Sequence, residues 1–107
     1  MMRLRKTGLR QVVCARTAPI VDATGGVARM ETGENFPFWG LLLPPRRRIA
    51  RSPSGVRLAV TWQLIPEGSQ DVREKDHLYL AGDSRAYVVT AVVAYPRHTA
   101  LHLELAQ

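Results

Sequence analysis

Period-two alternation in the last third of the chain, from Lys75 to Leu105, restricts this sequence to a β fold. In the final run Thr99, Leu101, Leu103 and Leu105 fall on one face, and Ala100, His102, Glu104 and Ala106 on the other. Successive strand side chains point to opposite faces, so this run suits a strand with one side on a core and one on water. Two runs rich in Val, Tyr and Leu precede it, Lys75 to Leu80 and Ala86 to Tyr95. Such residues fit a pleated, half-buried surface. Gly82 and Asp83 between them tolerate the positive φ of a tight turn. The middle run is apolar on both sides, with Val89 and Val93 pointing one way, Val88 and Val92 the other, and Tyr87 and Tyr95 at its ends. A strand of that kind is central in a barrel or sandwich, or is covered by another subunit. Tyr87, Val88, Val92 and Tyr95 are therefore the candidate subunit-interface residues.

The rest of the chain reads the same way. Leu9 to Arg16 is an expected strand, with Arg10, Val12, Cys14 and Arg16 sharing one face. Around the Asp22-Ala-Thr-Gly25-Gly26 turn signal, short strands are expected at Pro19–Val21 and Val27–Glu31. Phe38 to Leu43 is a strand whose start is broken by Pro37, since proline is confined to strand edges. Its aromatics read as core, because large aromatics dominate small cores. Val56 to Ile65 alternates cleanly, with Val56, Leu58, Val60, Trp62 and Leu64 on one face. Asp71 to Lys75 is polar and fits a single helical turn. At 107 residues the chain makes one domain. Six or more strands with short connections predict a small all-β barrel or sandwich.

Between two central strands lies Pro44 to Gly55, which carries Arg46, Arg47, Arg48 and Arg51. Two prolines precede the arginines, Pro53-Ser54-Gly55 follows them, and like charges in a row repel. A long exposed loop is expected over 44–55, at the tip of a hairpin formed by the two flanking strands. The chain has 15 Lys and Arg against 9 Asp and Glu, a net charge of +6, and its only lysines are Lys6 and Lys75. Such a balance favours nucleic acid or an acidic surface as neighbour. Arginine forks match phosphate oxygens, so Arg46, Arg47, Arg48 and Arg51 are the candidate phosphate-contact residues. Residues 1–7 read as a flexible basic tail.

Enzyme chemistry finds little to work with. Gly25-Gly26 lacks the spacing and the following Lys-Ser or Lys-Thr of a phosphate loop. His98 and His102 on a strand would stand about 13 Å apart, too far to share a metal. The lone Cys14 reads as a small core residue. Ser84 has no nucleophile-elbow pattern. Asp76 and Asp83 read as hairpin-shaping residues, because aspartate bonds nearby backbone N–H groups. No catalytic residue, cofactor or metal is expected. No 7–15-residue apolar signal core follows the basic start. No run reaches the ~18–20 apolar residues of a membrane helix. A soluble protein made in the cytoplasm is expected.

The stretch Asp76-His-Leu-Tyr-Leu-Ala-Gly82-Asp-Ser-Arg-Ala-Tyr87-Val-Val-Thr-Ala-Val resembles the C-terminal pattern of tailed-bacteriophage head–tail connector proteins, the head-completion or stopper group. Element order is similar as well: an N-terminal strand, the Gly25-Gly26 turn, a strand bearing Trp39, the 44–55 loop, and the Val56–Ile65 strand. The resemblance implies a small β-barrel whose copies form a ring in the virion neck, between portal or adaptor and tail, around the DNA channel. It also implies that the 44–55 loop reaches toward the channel, where contact with DNA would be independent of sequence. The strong positive charge departs from the acidic or neutral balance common in that group. Two other readings stand beside it. One is a stand-alone nucleic-acid-binding small barrel. The other is a tail-terminator or minor tail subunit.

Overall fold

The computed structural model describes residues 8–21 and 23–106. The 1–7 tail expected above lies outside them. Among the described residues the regular elements are seven strands: β1 (Leu9–Val21), β2 (Val27–Leu42), β3 (Arg46–Ser52), β4 (Gly55–Pro66), β5 (His77–Leu80), β6 (Ala86–Ala94) and β7 (Thr99–Leu105). All pairings are antiparallel. The order is β2-β1-β5-β6-β7-β4-β3, and β2 pairs with β4 as well. That extra ladder, Gly40 to Leu42 on Pro66 to Leu64, returns a circuit of six strands on itself. The expected helical turn at Asp71–Lys75 is not formed. That segment is irregular, and Lys75 takes a φ of 72°.

The circuit encloses Val12, Cys14, Phe38, Trp62, Leu64, Val72, Leu78, Leu80, Tyr87, Val89, Leu101 and Leu103. Of the apolar faces expected of β4 and β7, Trp62 and Leu64 from one and Leu101 and Leu103 from the other pack inward, whereas Val56, Leu58 and Leu105 are exposed and Ala100, expected on the opposite face, is buried. Tyr87 is a correction to the sequence reading. It is 0% exposed and meets Trp62 edge-on, with ring centroids 5.3 Å apart, so it is core and not an interface residue. Trp39 is a correction in the other direction, since it is exposed while Phe38 beside it is buried. The parity of β2 separates them.

Pro37 sits inside β2, opposite Val13, rather than ahead of a strand. It is tolerated because β2 pairs there only with β1 and keeps its other edge open. Farther along, three residues of β2 (Thr32, Gly33, Glu34) oppose the single residue Arg16. Gly33 adopts φ of 89° in this bulge, a conformation that costs glycine little. The bulge breaks alternation on the partner strand, so Ala15, Arg16 and Thr17 are all buried in succession.

Beyond that bulge the ends of β1 and β2 continue as a two-stranded arm, Thr17–Val21 on Glu31–Val27. A second arm is formed by β3 and the first half of β4, Arg46–Ser52 on Thr61–Gly55. The expected long loop over 44–55 is therefore corrected. Leu43-Pro44-Pro45 is a short kink, after which the chain pairs along β4 again with one extra residue. The Leu43 N–H donates to the Gln63 carbonyl at 2.9 Å across this kink. The loop itself shrinks to Pro53-Ser54 at the tip. The sequence reading failed here because proline and charge mark where a strand is interrupted, not whether a partner strand waits beyond. No helix among the described residues is long and apolar enough to cross a membrane.

Candidate functional site

The β3–β4 arm gathers the candidate phosphate-contact residues. Arg46, Arg47, Arg48 and Arg51 are all exposed on β3, and Arg57 joins them from β4, where it pairs with Ala50. None of these five forms an ion pair among the described residues. Sequence reading missed Arg57, which lies in the alternating Val56–Ile65 strand and outside the 44–55 stretch. Its membership in the group depends on the register of the hairpin. A string of unpaired guanidinium groups on a narrow ribbon is free to meet phosphate or carboxylate oxygens.

Of the expected interface residues other than Tyr87, Val88 is half-buried on the outer side of β6, and Val92 and Tyr95 are exposed. The Tyr95 ring stacks on His98, with centroids 5.0 Å apart. Further apolar side chains stand in solvent on the arms: Ile20, Val21, Val27 and Met30 on the first, and Ile49, Val56 and Leu58 on the second. On the first arm Val21 and Val27 share one face, and Ile20 and Met30 the other.

Three polar clusters fix the body to which the arms attach. The first is buried. Arg16 Nη1 donates to Asp76 Oδ2 at 2.8 Å, and its Nη2 donates to the Asp71 carbonyl at 2.8 Å. The same carboxylate accepts the Arg73 N–H at 3.0 Å and the Thr17 N–H at 3.4 Å. Asp76 was expected to bond nearby backbone N–H groups, and it does so with Arg73 three residues before it; beyond that it is buried and ties the 67–76 connection to β1. Cys14 lies beside it, and burial together with the Asp76 carboxylate pushes the thiol up to about 12. That thiol is therefore protonated, as a core residue should be. The Thr17 hydroxyl donates to the Lys75 carbonyl at 2.7 Å and accepts from Arg29 at 3.0 Å, joining the root of the first arm to the same cluster.

The second cluster closes the β5–β6 turn. Asp83 accepts the Arg85 N–H at 2.9 Å, the Arg85 guanidinium at 3.0 Å and the Tyr87 hydroxyl at 2.8 Å. These bonds, led by the Arg85 side chain, hold the Asp83 carboxyl well below the usual carboxylate range. Here the turn-shaping role expected of Asp83 is what the structure shows. Arg85 also lies over the Trp62 and Tyr87 rings at 5.8 and 5.5 Å. The third cluster is on the surface. Glu31 accepts from the Tyr79 hydroxyl, and His77 Nδ1 lies 2.9 Å from the same carboxylate oxygen. Those two hydrogen bonds, Tyr79 first, lower the Glu31 pKa. The cluster straps β2 to β5 across β1. Among the described residues no group of three or more His, Cys, Asp or Glu is placed to hold a metal.

No protein-family model matches this sequence, and no curated protein matches it. A likeness appears at the level of fold. The chain superposes on the structure of protein xkdH of the phage-like element PBSX from Bacillus subtilis with a TM-score of 0.53, covering 91% of this chain and 93% of that one at 12% identity. At that identity the likeness establishes a shared fold along nearly the whole of both chains.

Proposed function

We propose that this chain is a structural, non-catalytic subunit of a tailed-phage or phage-derived particle. In this reading it is a head–tail connector whose copies form a ring between portal or adaptor and tail. The observation that carries the proposal is the end-to-end fold likeness to a phage-like element protein. It joins the connector-like sequence pattern of Asp76 to Val92. The closed circuit of six strands is read as the small β-barrel of such a subunit, and the two arms as its contacts. The β3–β4 arm projects its arginines toward the DNA channel, where phosphate binding would release counterions.

Ring formation supplies a use for the apolar surface. A head-to-tail ring needs two different patches on each subunit. The exposed Val92 and Tyr95 on the body, and the apolar side chains of the two arms, are separate patches of the required kind. Purified particles test the reading directly. Peptides of this chain are expected in mature particles, and imaging is expected to place a ring of it at the neck with the β3–β4 arms lining the bore. Absence from mature particles overturns the proposal, and a position on the tail itself rather than in the neck favours the tail-terminator or minor-tail-subunit reading.

A stand-alone nucleic-acid-binding barrel is favoured by one observation, the five unpaired arginines on a single exposed hairpin. It predicts micromolar binding with a steep salt slope in a protein found outside particles.

A further inference from the structure

We infer that the β3–β4 arm is two-faced, and that its phosphate contacts are made by Arg46, Arg48 and Arg57 and not by Arg47 and Arg51. This rests on the proposal that the arm meets nucleic acid, and it names which side chains do so.

The register settles which residues share a side. Directly paired residues of an antiparallel ladder lie on the same face, and neighbours along a strand on opposite faces. Arg46 pairs with Thr61, Arg48 with Ala59, and Ala50 with Arg57. These positions form one face, whose only long side chains are the three arginines. Arg46 and Arg48 are about 7 Å apart along β3, from the strand rise. Arg48 and Arg57 are diagonal neighbours, again at roughly 7–8 Å. The short Ala59 and Thr61 beside them leave room for a sugar-phosphate backbone to lie close to the ribbon.

The opposite face is of another kind. Arg47 pairs with Val60, Ile49 with Leu58, and Arg51 with Val56. Ile49, Leu58 and Val56 are 68%, 60% and 67% exposed. Laying phosphates on this face would strip water from charged oxygens against hydrocarbon. Arg47 and Arg51 flank the apolar patch and belong to its rim, where charges orient a protein contact. The arm can thus present three arginines to nucleic acid while its other face is covered by protein.

A charge-matched pair of variants tests the assignment. The full chain is titrated with a fluorescently labelled random-sequence DNA duplex over a series of KCl concentrations. Each phosphate contact contributes about −0.9 to the slope of log K against log salt. Arg48→Ala with Arg57→Ala is expected to reduce the slope by about 1.8 in magnitude. Arg47→Ala with Arg51→Ala removes the same charge from the same hairpin and is expected to leave the slope within about 0.5 of the parent. Equal losses in the two variants overturn the face assignment while leaving DNA contact intact. A parent chain with no salt-dependent binding at low salt overturns DNA contact itself, and the assignment with it. All four residues are exposed, and thermal unfolding of each variant checks that the fold is kept.

Discussion

Arg16 and Asp76 meet at 2.8 Å with both side chains buried, and between them they join β1 to the irregular segment that leads into β5. Removing one partner of a buried pair leaves an uncompensated charge, which costs about 3–5 kcal/mol. Arg16→Met and Asp76→Leu are each expected to destabilise by that amount in urea unfolding. The double variant is expected to cost less than either single change, because it removes both charges together. A double variant worse than both singles would show that the Thr17 and Arg73 N–H groups, not Arg16, are the partners that matter.

Asp83 makes folding pH-dependent in a defined sense. Its folded pKa is depressed, chiefly by the Arg85 side chain. Its contribution is therefore complete above the unfolded value of about 3.9 and is lost as pH falls below it toward the folded pKa. The stability gap between the parent and Asp83→Asn is expected to be constant above about pH 5. It should narrow steadily below about pH 4. Glu31, whose pKa is lowered by Tyr79 and His77, changes in the same direction, so Glu31→Gln adds to the effect. Urea midpoints measured from pH 7 downward read the gap. A gap that widens on acidification would reverse the assignment.

Tyr87 is buried, whereas Val92 and Tyr95 are exposed and are the residues proposed for a subunit interface. Tyr87→Phe removes the hydroxyl donated to Asp83 and is expected to cost about 1.5–3 kcal/mol, as for a bond to a charged group, without affecting assembly. Val92→Ser with Tyr95→Ser uncovers two partly covered side chains and removes the Tyr95–His98 stack, so it is expected to cost about 1–2 kcal/mol and, on the proposed connector reading, to abolish ring formation on portal complexes. Sedimentation and negative-stain imaging check both.

Gly40 is buried where β2 crosses from β1 to β4. A Cβ there would stand 3.1 Å from the Leu64 side chain and 3.3 Å from the Ile65 carbonyl. Leu64 is fully buried and has little room to move, so Gly40→Ala is expected to cost about 1–3 kcal/mol through overpacking. A variant as stable as the parent by thermal unfolding would show that β2 and β4 can separate slightly at their ladder.

Local pattern determined much of this molecule. The alternation of Val56–Ile65 and Thr99–Leu105 already placed Trp62, Leu64, Leu101 and Leu103 inside, and the composition around Gly82 and Asp83 placed a turn there. These features are encoded by neighbours in the chain, and a period of two is visible without a partner strand. Tertiary structure decided the rest. The β2 register and its bulge bury Ala15, Arg16 and Thr17 together. Pairing along β4 turns the arginine stretch into a strand, brings Arg57 to Arg46 and Arg48, and sends Arg47 and Arg51 to the other side. Tyr87 turned inward although its strand is apolar on both faces, because closure of the six-strand circuit, not the strand's own composition, selects which face is enclosed. The common physical reason is register. A shift of one residue exchanges every side chain between faces, and register is set by contacts between segments far apart in sequence.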